Sequence, residues 1–359
     1  MDIDRRDFVK GAAVAGAAAA MMGVAGCAPA GQGSSSSAVA QANATSGGTA
    51  TNAASSASSS SSASATPASM TSTIKTTNST PGGSKVYYTD DISAAGLLAV
   101  YKALGFSPTG KVAVKLHMGE EGNANYLDPG LLRQLVEEVR GTFVDTTVLY
   151  GKRSTPTGYY EVAADHGFGY APVDILDETG GMKLPVVGGS RLTEAELGAK
   201  YADYQSWVSV AHFKGHGMAG FGGTFKNLAI GLATVPQKRI VHGPSFDTGA
   251  VFLERVVDVA KAVFDDLKGR MACVNVINNL SLDCDCDSSA GAPVMADIGV
   301  LASLDPVALD RASLDQIYLS DDPGKDSVIS RIESHDGAHL LDYAESLGLG
   351  SQTYELVAV

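Results

Sequence analysis

Residues 85–359 read as an α/β fold, a mainly parallel sheet with flanking helices, preceded by a signal peptide and a disordered linker. Three observations carry that reading. Short β-branched runs alternate with helical stretches, the pattern of strands joined by crossover helices. Two of those helices begin with Asp-Pro, at Asp128-Pro129 and Asp305-Pro306, where Asp caps the helix and Pro fits its first turn. Finally, large apolar side chains are scarce from residue 28 to 84 and plentiful afterwards.

Taken in order, Val86-Tyr87-Tyr88 is a short strand, and Asp91 or Ser93 caps a helix through about Leu104. Val112–Leu116 is a buried strand after the punctuation of Gly110, and the helix opened by Asp128 runs to about Arg140. Phe143–Tyr150 returns to strand, Tyr159–His166 is helical, and Val173–Leu176, Lys183–Val187 and Trp207–Ala211 are further strands. The longest helical pattern spans about Gly249 to Leu267 and leads into a strand at Met271–Ile277. Ile298–Leu301 is the last strand, before the Asp305-capped helix to about Tyr318.

The N-terminus is built as an address. Asp4-Arg5-Arg6-Asp7-Phe8-Val9-Lys10 precedes a weakly apolar run, Gly11 to Gly23, and the Arg pair before Phe resembles a twin-arginine export signal. That run is shorter than the ~20 apolar residues of a spanning helix. Val24-Ala25-Gly26-Cys27 resembles a bacterial lipobox, whose Cys is lipidated and becomes the mature N-terminus; the alternative is ordinary cleavage near Ala28–Ala30. Residues 28–84, rich in Ser, Ala, Thr and Gly, cannot bury enough surface to offset their ordering entropy and are expected to be a flexible tether.

Charge sharpens the division. The 359-residue chain has 26 Lys and Arg against 39 Asp and Glu, a net −13. Residues 1–85 contribute +2, which leaves −15 on the rest. Such acidity excludes general nucleic-acid binding and electrostatic docking on anionic lipid. A lipid on Cys27 would attach the protein to the outer face of the cytoplasmic membrane, with the export machinery and a small anion or redox partner as its other expected contacts.

Two stretches concentrate the chemistry. The first, Ala211 to Leu228, leaves a strand through glycines and carries His212, Lys214, His216, Lys226 and Asn227. Gly220, Gly222 and Gly223 would let backbone amides approach an anion or cofactor, with His212 and Asn227 beside it. Lys214 and Lys226 would stabilise negative charge, and His216 would act as acid or base. Its spacing is neither the dinucleotide fingerprint nor a Walker loop. The second, Asp283-Cys284-Asp285-Cys286-Asp287, packs two thiols and carboxylates into five residues. Cys284, Cys286, Asp283 and Asp285 are the expected ligands of an iron or zinc ion, completed by His212, His216 or His242. A Cys284–Cys286 link and an unreactive polar loop are the alternatives. Cys273, in an apolar strand, reads as core. His117, at a strand's end, ranks below the glycine-loop pair, and His335 and His339 share the i, i+4 spacing of one helix face.

These residues, with Asp297–Asp310, Lys85–Tyr88 and Leu347–Gly350, resemble domain-of-unknown-function family 362, whose members are also labelled uncharacterised iron–sulfur centre proteins. The resemblance covers residues 85–359 and implies an α/β fold and an iron–sulfur cofactor. The repeated Cys-x-x-Cys groups of many members are missing here, so an all-cysteine cubane is under-supplied. The expected function is an exported, lipid-anchored metal- or iron–sulfur-associated protein, a metal-dependent oxidoreductase or else a non-catalytic, surface-tethered binder of a small anion or metal.

Overall fold

The computed structural model describes residues 73–288 and 290–359; the expected signal segment 1–27 with Cys27, and the expected tether as far as residue 72, lie outside the described residues. Contacts with the domain begin upstream of residue 85. Thr73 donates its hydroxyl to the Ile298 carbonyl at 2.7 Å, Ile74 is buried, and the Thr80 amide donates to the Tyr354 carbonyl at 2.8 Å.

The strands and helices follow in alternation: β1 (Ser84–Thr89), α1 (Ala94–Ala103), β2 (Val112–Lys115), α2 (Pro129–Val139), β3 (Thr142–Asp145), α3 (Pro156–Asp165) and β4 (Val173–Ile175). β5 (Gly181–Pro185) and β6 (Glu194–Gly198) form a separate antiparallel hairpin. β7 (Ser206–His212) is followed by β8 (Lys214–His216), β9 (Gly220–Gly222), α4 (Thr224–Ala229), α5 (Val235–His242), α6 (Ala250–Asp266) and β10 (Met271–Ile277). The chain ends with β11 (Gly299–Ser303), α7 (Pro306–Leu319), α8 (Lys325–Ser334), α9 (His339–Ser346) and β12 (Tyr354–Ala358).

Eight strands form one sheet, ordered β12-β1-β11-β10-β7-β2-β3-β4. All its pairings are parallel except those of β11, which runs against both β1 and β10. Strand alternation builds a core on each face. Val208, Val210, Val274 and Val276 pack with α1, α2 and α3 on one side. Trp207, Cys273 and Leu301 pack with α4, α6 and α7 on the other. Helices on both faces explain why these strands read as apolar runs rather than half-polar ones.

Local signals locate the helix starts. Ser93, Asp128, Thr155 and Asp305 each accept an amide of the first turn. Thr155-Pro156 is a cap-plus-Pro start that the sequence reading passed over, so α3 begins three residues before Tyr159. The strand expected over Phe143–Tyr150 stops at Asp145, where the chain turns into the loop that carries Tyr150.

Candidate functional site

The C-terminal ends of the parallel strands β2, β3 and β7 face one cavity of about 300 Å³, as expected where ligands bind open α/β sheets. Each strand delivers a charged or titratable group there. β2 brings Lys115 and then His117, β3 ends on Asp145, and β7 ends on His212. The loop after β10 closes the wall with Asp283, Cys284, Cys286 and Asp287, and the first turn of α4 adds Lys226 and Asn227.

The glycine-rich stretch forms a small hairpin in which Lys214 faces Gly222 and His216 faces Gly220 across the β8–β9 pair. Gly222 and Gly223 border the cavity. Gly220 takes a positive φ of 78°, and a Cβ there would meet the Ile332 Cα and carbonyl oxygen at 2.9 Å, so its role is the close approach of β9 to α8. A Cβ on Gly223 would stand 2.6 Å from Asp310 Oδ1, the carboxylate that accepts the amides of Thr224 and Phe225 at the start of α4.

Asp285 is the buried hub. Its carboxylate takes His212 Nδ1 at 2.9 Å and Lys214 Nζ at 2.5 Å, while His212 Nε2 meets the Asn278 carbonyl at 2.6 Å. Burial opposes this charge, but His212 and Lys214 outweigh it and hold the Asp285 carboxyl well below the usual carboxylate range. His212 and Lys214, expected at a cofactor and in catalysis, are thus committed to Asp285. Asp283 pairs with Arg331 at 2.6 Å. Neither carboxylate converges with the thiols.

The thiols do converge with a histidine. One donor atom each from His216, Cys284 and Cys286 lie within 4.8 Å of one another, and both cysteines are free. The Cys286 thiol donates to Cys284 and, with Lys226, His216 and Lys214 outweighing burial, holds the Cys284 thiol well below its ordinary value. Cys286 is pushed up by the same bond and by burial. Lys226 Nζ lies 3.6 Å from Cys284 Sγ. Burial works against its ammonium, yet the two sulfurs carry its pKa above the ordinary value.

The convergence does not fit a metal held by His216. His216 Nδ1 already accepts the amides of Met218 at 3.1 Å and Ala219 at 3.0 Å, so the neutral ring carries its proton on Nε2. That nitrogen hydrogen-bonds Cys284 and has no lone pair to offer an ion. An all-cysteine cluster does not fit either. Among the described residues only Cys284 and Cys286 line the cavity, and Cys273 is buried in β10. His242 donates Nδ1 to the Lys238 carbonyl at 2.6 Å and packs on Phe252. His335 ends α8 and His339 begins α9, so they share no helix face, and His339 pairs with Glu254.

Three groups gain weight beyond their place in the sequence. His117 Nδ1 accepts the Gly119 amide at 3.1 Å, which leaves the proton on Nε2, a buried atom with no hydrogen-bond partner. Lys115, buried at the end of an apolar strand, holds Asp145 at 3.1 Å and Asn227 Oδ1 at 3.0 Å. Asn227 returns its amide to the Lys115 carbonyl and Ser209, so it braces the floor of the cavity. Arg153 lies beneath, between Glu120 and Tyr159, and Tyr159 donates to Asp145. A charged residue in an apolar strand was the one sequence signal for this network.

A family model described as "Domain of unknown function (DUF362)" matches residues 112–315, and a twin-arginine translocation pathway signal model matches residues 2–22. No curated protein matches. The chain is similar to a solved lactate racemase apoprotein from Thermoanaerobacterium thermosaccharolyticum, at 16% identity and a TM-score of 0.34, over 54% of this chain and 51% of that one. It is also similar to a protein from Thermotoga maritima, at 11% identity and a TM-score of 0.37, over 70% and 58%. It thus spans between half and three-fifths of the solved chains it matches.

Proposed function

Because the chain belongs to the DUF362 family and carries a twin-arginine export signal, we propose that it is an exported enzyme that uses the Cys284 thiolate on a small anionic substrate. The observation that supports this reading is the setting of Cys284, with an ammonium at 3.6 Å, a histidine N–H and a second thiol all directed at one sulfur. A thiolate is the nucleophilic form of cysteine, and neighbouring cations keep it populated at neutral pH. Lys226, which lines the cavity beside the sulfur, receives the substrate's negative charge. His216 steadies the thiolate through its Nε2–H. Asp285, His212 and Lys214 fix the turn that carries both cysteines.

Alkylation of the exported chain with iodoacetamide across pH tests this. Cys284 should react with an inflection well below that of an ordinary thiol, and Lys226→Met should move the inflection up and slow the reaction at neutral pH about tenfold. A Cys284 that titrates like a free thiol would end the reading. The alternative, a soft metal ion captured without turnover, rests on the two thiols, whose sulfurs lie within 4.8 Å of one another. Stoichiometric zinc or iron after anaerobic purification, lost in Cys284→Ser/Cys286→Ser, would establish it instead. A lipid on Cys27 tethering the domain to the outer face of the membrane belongs to the same proposal. Palmitate label that survives Cys27→Ala would refute it.

A further inference from the structure

The loop after β10 presents two thiols to the cavity through the way it turns. The Asp287 amide donates to the Cys284 carbonyl at 2.9 Å, which closes a turn around Asp285 and Cys286. Asp285, between the cysteines, is pulled into the protein by His212 and Lys214. Both neighbours therefore stand on the cavity side, their sulfurs within 4.8 Å. A disulfide needs about 2.05 Å, and rotation of the two side chains is the movement that closes such a gap. The pair is also asymmetric. Cys284 is buried against Lys226 and His216, whereas Cys286 is more exposed and sits beside the Tyr150 hydroxyl. Export moreover delivers the pair to a compartment where disulfides persist.

We infer that Cys284 and Cys286 form a dithiol–disulfide couple that reduces a small, carboxylate-bearing disulfide held in the cavity by Lys226. The inference rests on the thiolate reading of Cys284. The Cys284 thiolate attacks one substrate sulfur, the substrate S–S bond breaks, and half of the substrate leaves as a thiolate. The Cys286 thiol gives its proton to that leaving thiolate, and its own sulfur then attacks Cys284. The mixed disulfide breaks, the second half leaves as a thiolate, and the Cys284–Cys286 bond forms. Two electrons pass from the protein to the substrate, and an external dithiol restores the couple by the same exchange. A cavity of about 300 Å³ with Cys284 only 6% exposed suits a disulfide of amino-acid size and excludes one within a folded protein.

The test is a single turnover of the anaerobically reduced exported chain with cystine, followed by released cysteine and protein mass. The expected result is two cysteines released per chain and a protein lighter by two hydrogens, with the new bond mapped between Cys284 and Cys286. Cys286→Ser should stop at a mixed disulfide on Cys284 with one cysteine released, and Cys284→Ser should release none. Lys226→Met, which keeps both thiols, should slow the first release about tenfold. A wild-type protein that stops at the mixed disulfide, or that cross-links two chains, would overturn the couple. Fast alkylation of Cys284 in that same protein would leave the thiolate reading standing; slow alkylation would sink both.

Discussion

Asp285 shows how far a single residue's role depends on what folds around it. In the sequence it sits among alternating thiols and carboxylates, a pattern that suits metal ligation. In the structure it is a wholly buried anion held by His212 and Lys214. Removing one member of a buried ionic group leaves the others uncompensated, at a cost of about 3–5 kcal/mol. Asp285→Ala should therefore lower the unfolding free energy from urea titration by that order and also slow alkylation of Cys284, because the turn loses its anchor. An Asp285→Ala protein as stable as the parent would show that the hub is dispensable. The residue types Cys284, Cys286, His216 and Lys226 were legible because the sequence crowds them. His117 was legible only as a lone histidine at a strand's end, and Lys115, Asp145 and Arg153 were not, since they come together only when β2 and β3 lie side by side.

At the scale of elements, starts were easier to read than directions. Caps and Asp-Pro pairs are local chemistry, and Ser93, Asp128 and Asp305 cap the helices expected of them. Direction and pairing are not local. Nothing in Ile298–Leu301 tells that β11 runs against both its neighbours, or that the glycines of the basic loop form a hairpin rather than an anion nest. Asp305 joins the two scales. Its Oδ1 accepts the amides of Val307 and Ala308 at 2.9 Å, and its Oδ2 accepts the Ser84 hydroxyl at 2.7 Å and the Ser351 amide at 3.0 Å. It thus fastens the start of α7 to β1 and to the approach to β12. Asp305→Ala should cost about 2 kcal/mol, more than an ordinary cap near 1 kcal/mol. Hydrogen exchange should show the loss in β1 and β12 as well as in α7. Exchange that rises in α7 alone would reduce Asp305 to a helix cap.

For the whole molecule, the acidic balance leads one to expect tolerance of low pH, and the buried histidines reverse that expectation. Burial, helped by Lys226 for His216 and by Arg153 for His117, takes these rings down to about 4 and about 3 from 6.5. The unfolded chain protonates both near pH 6.5 while the folded chain stays neutral, so below that pH the unfolded state binds more protons. Linkage then requires stability to fall as pH falls from 6.5 toward 4 and below. Asp285, held low in the fold, adds to the loss once the pH drops under 3.8. Asp310 acts in the opposite sense. Burial lifts its carboxyl to about 6, so between 6 and 3.8 the folded state holds a proton that the unfolded state has released, and acid favours the fold there. His242, also lowered by burial, acts in the same sense as the other two, and three histidines against one carboxyl leave a net loss. Urea midpoints should decline from pH 7 to pH 4.5, and His117→Gln/His216→Gln should flatten that decline, because Asp310 then opposes only His242, which burial also lowers from 6.5. A wild-type midpoint that rises on acidification would mean that the rings carry their protons in the folded state, and the Nε2–H of His216 could then no longer be read as the donor of a neutral imidazole to the Cys284 sulfur.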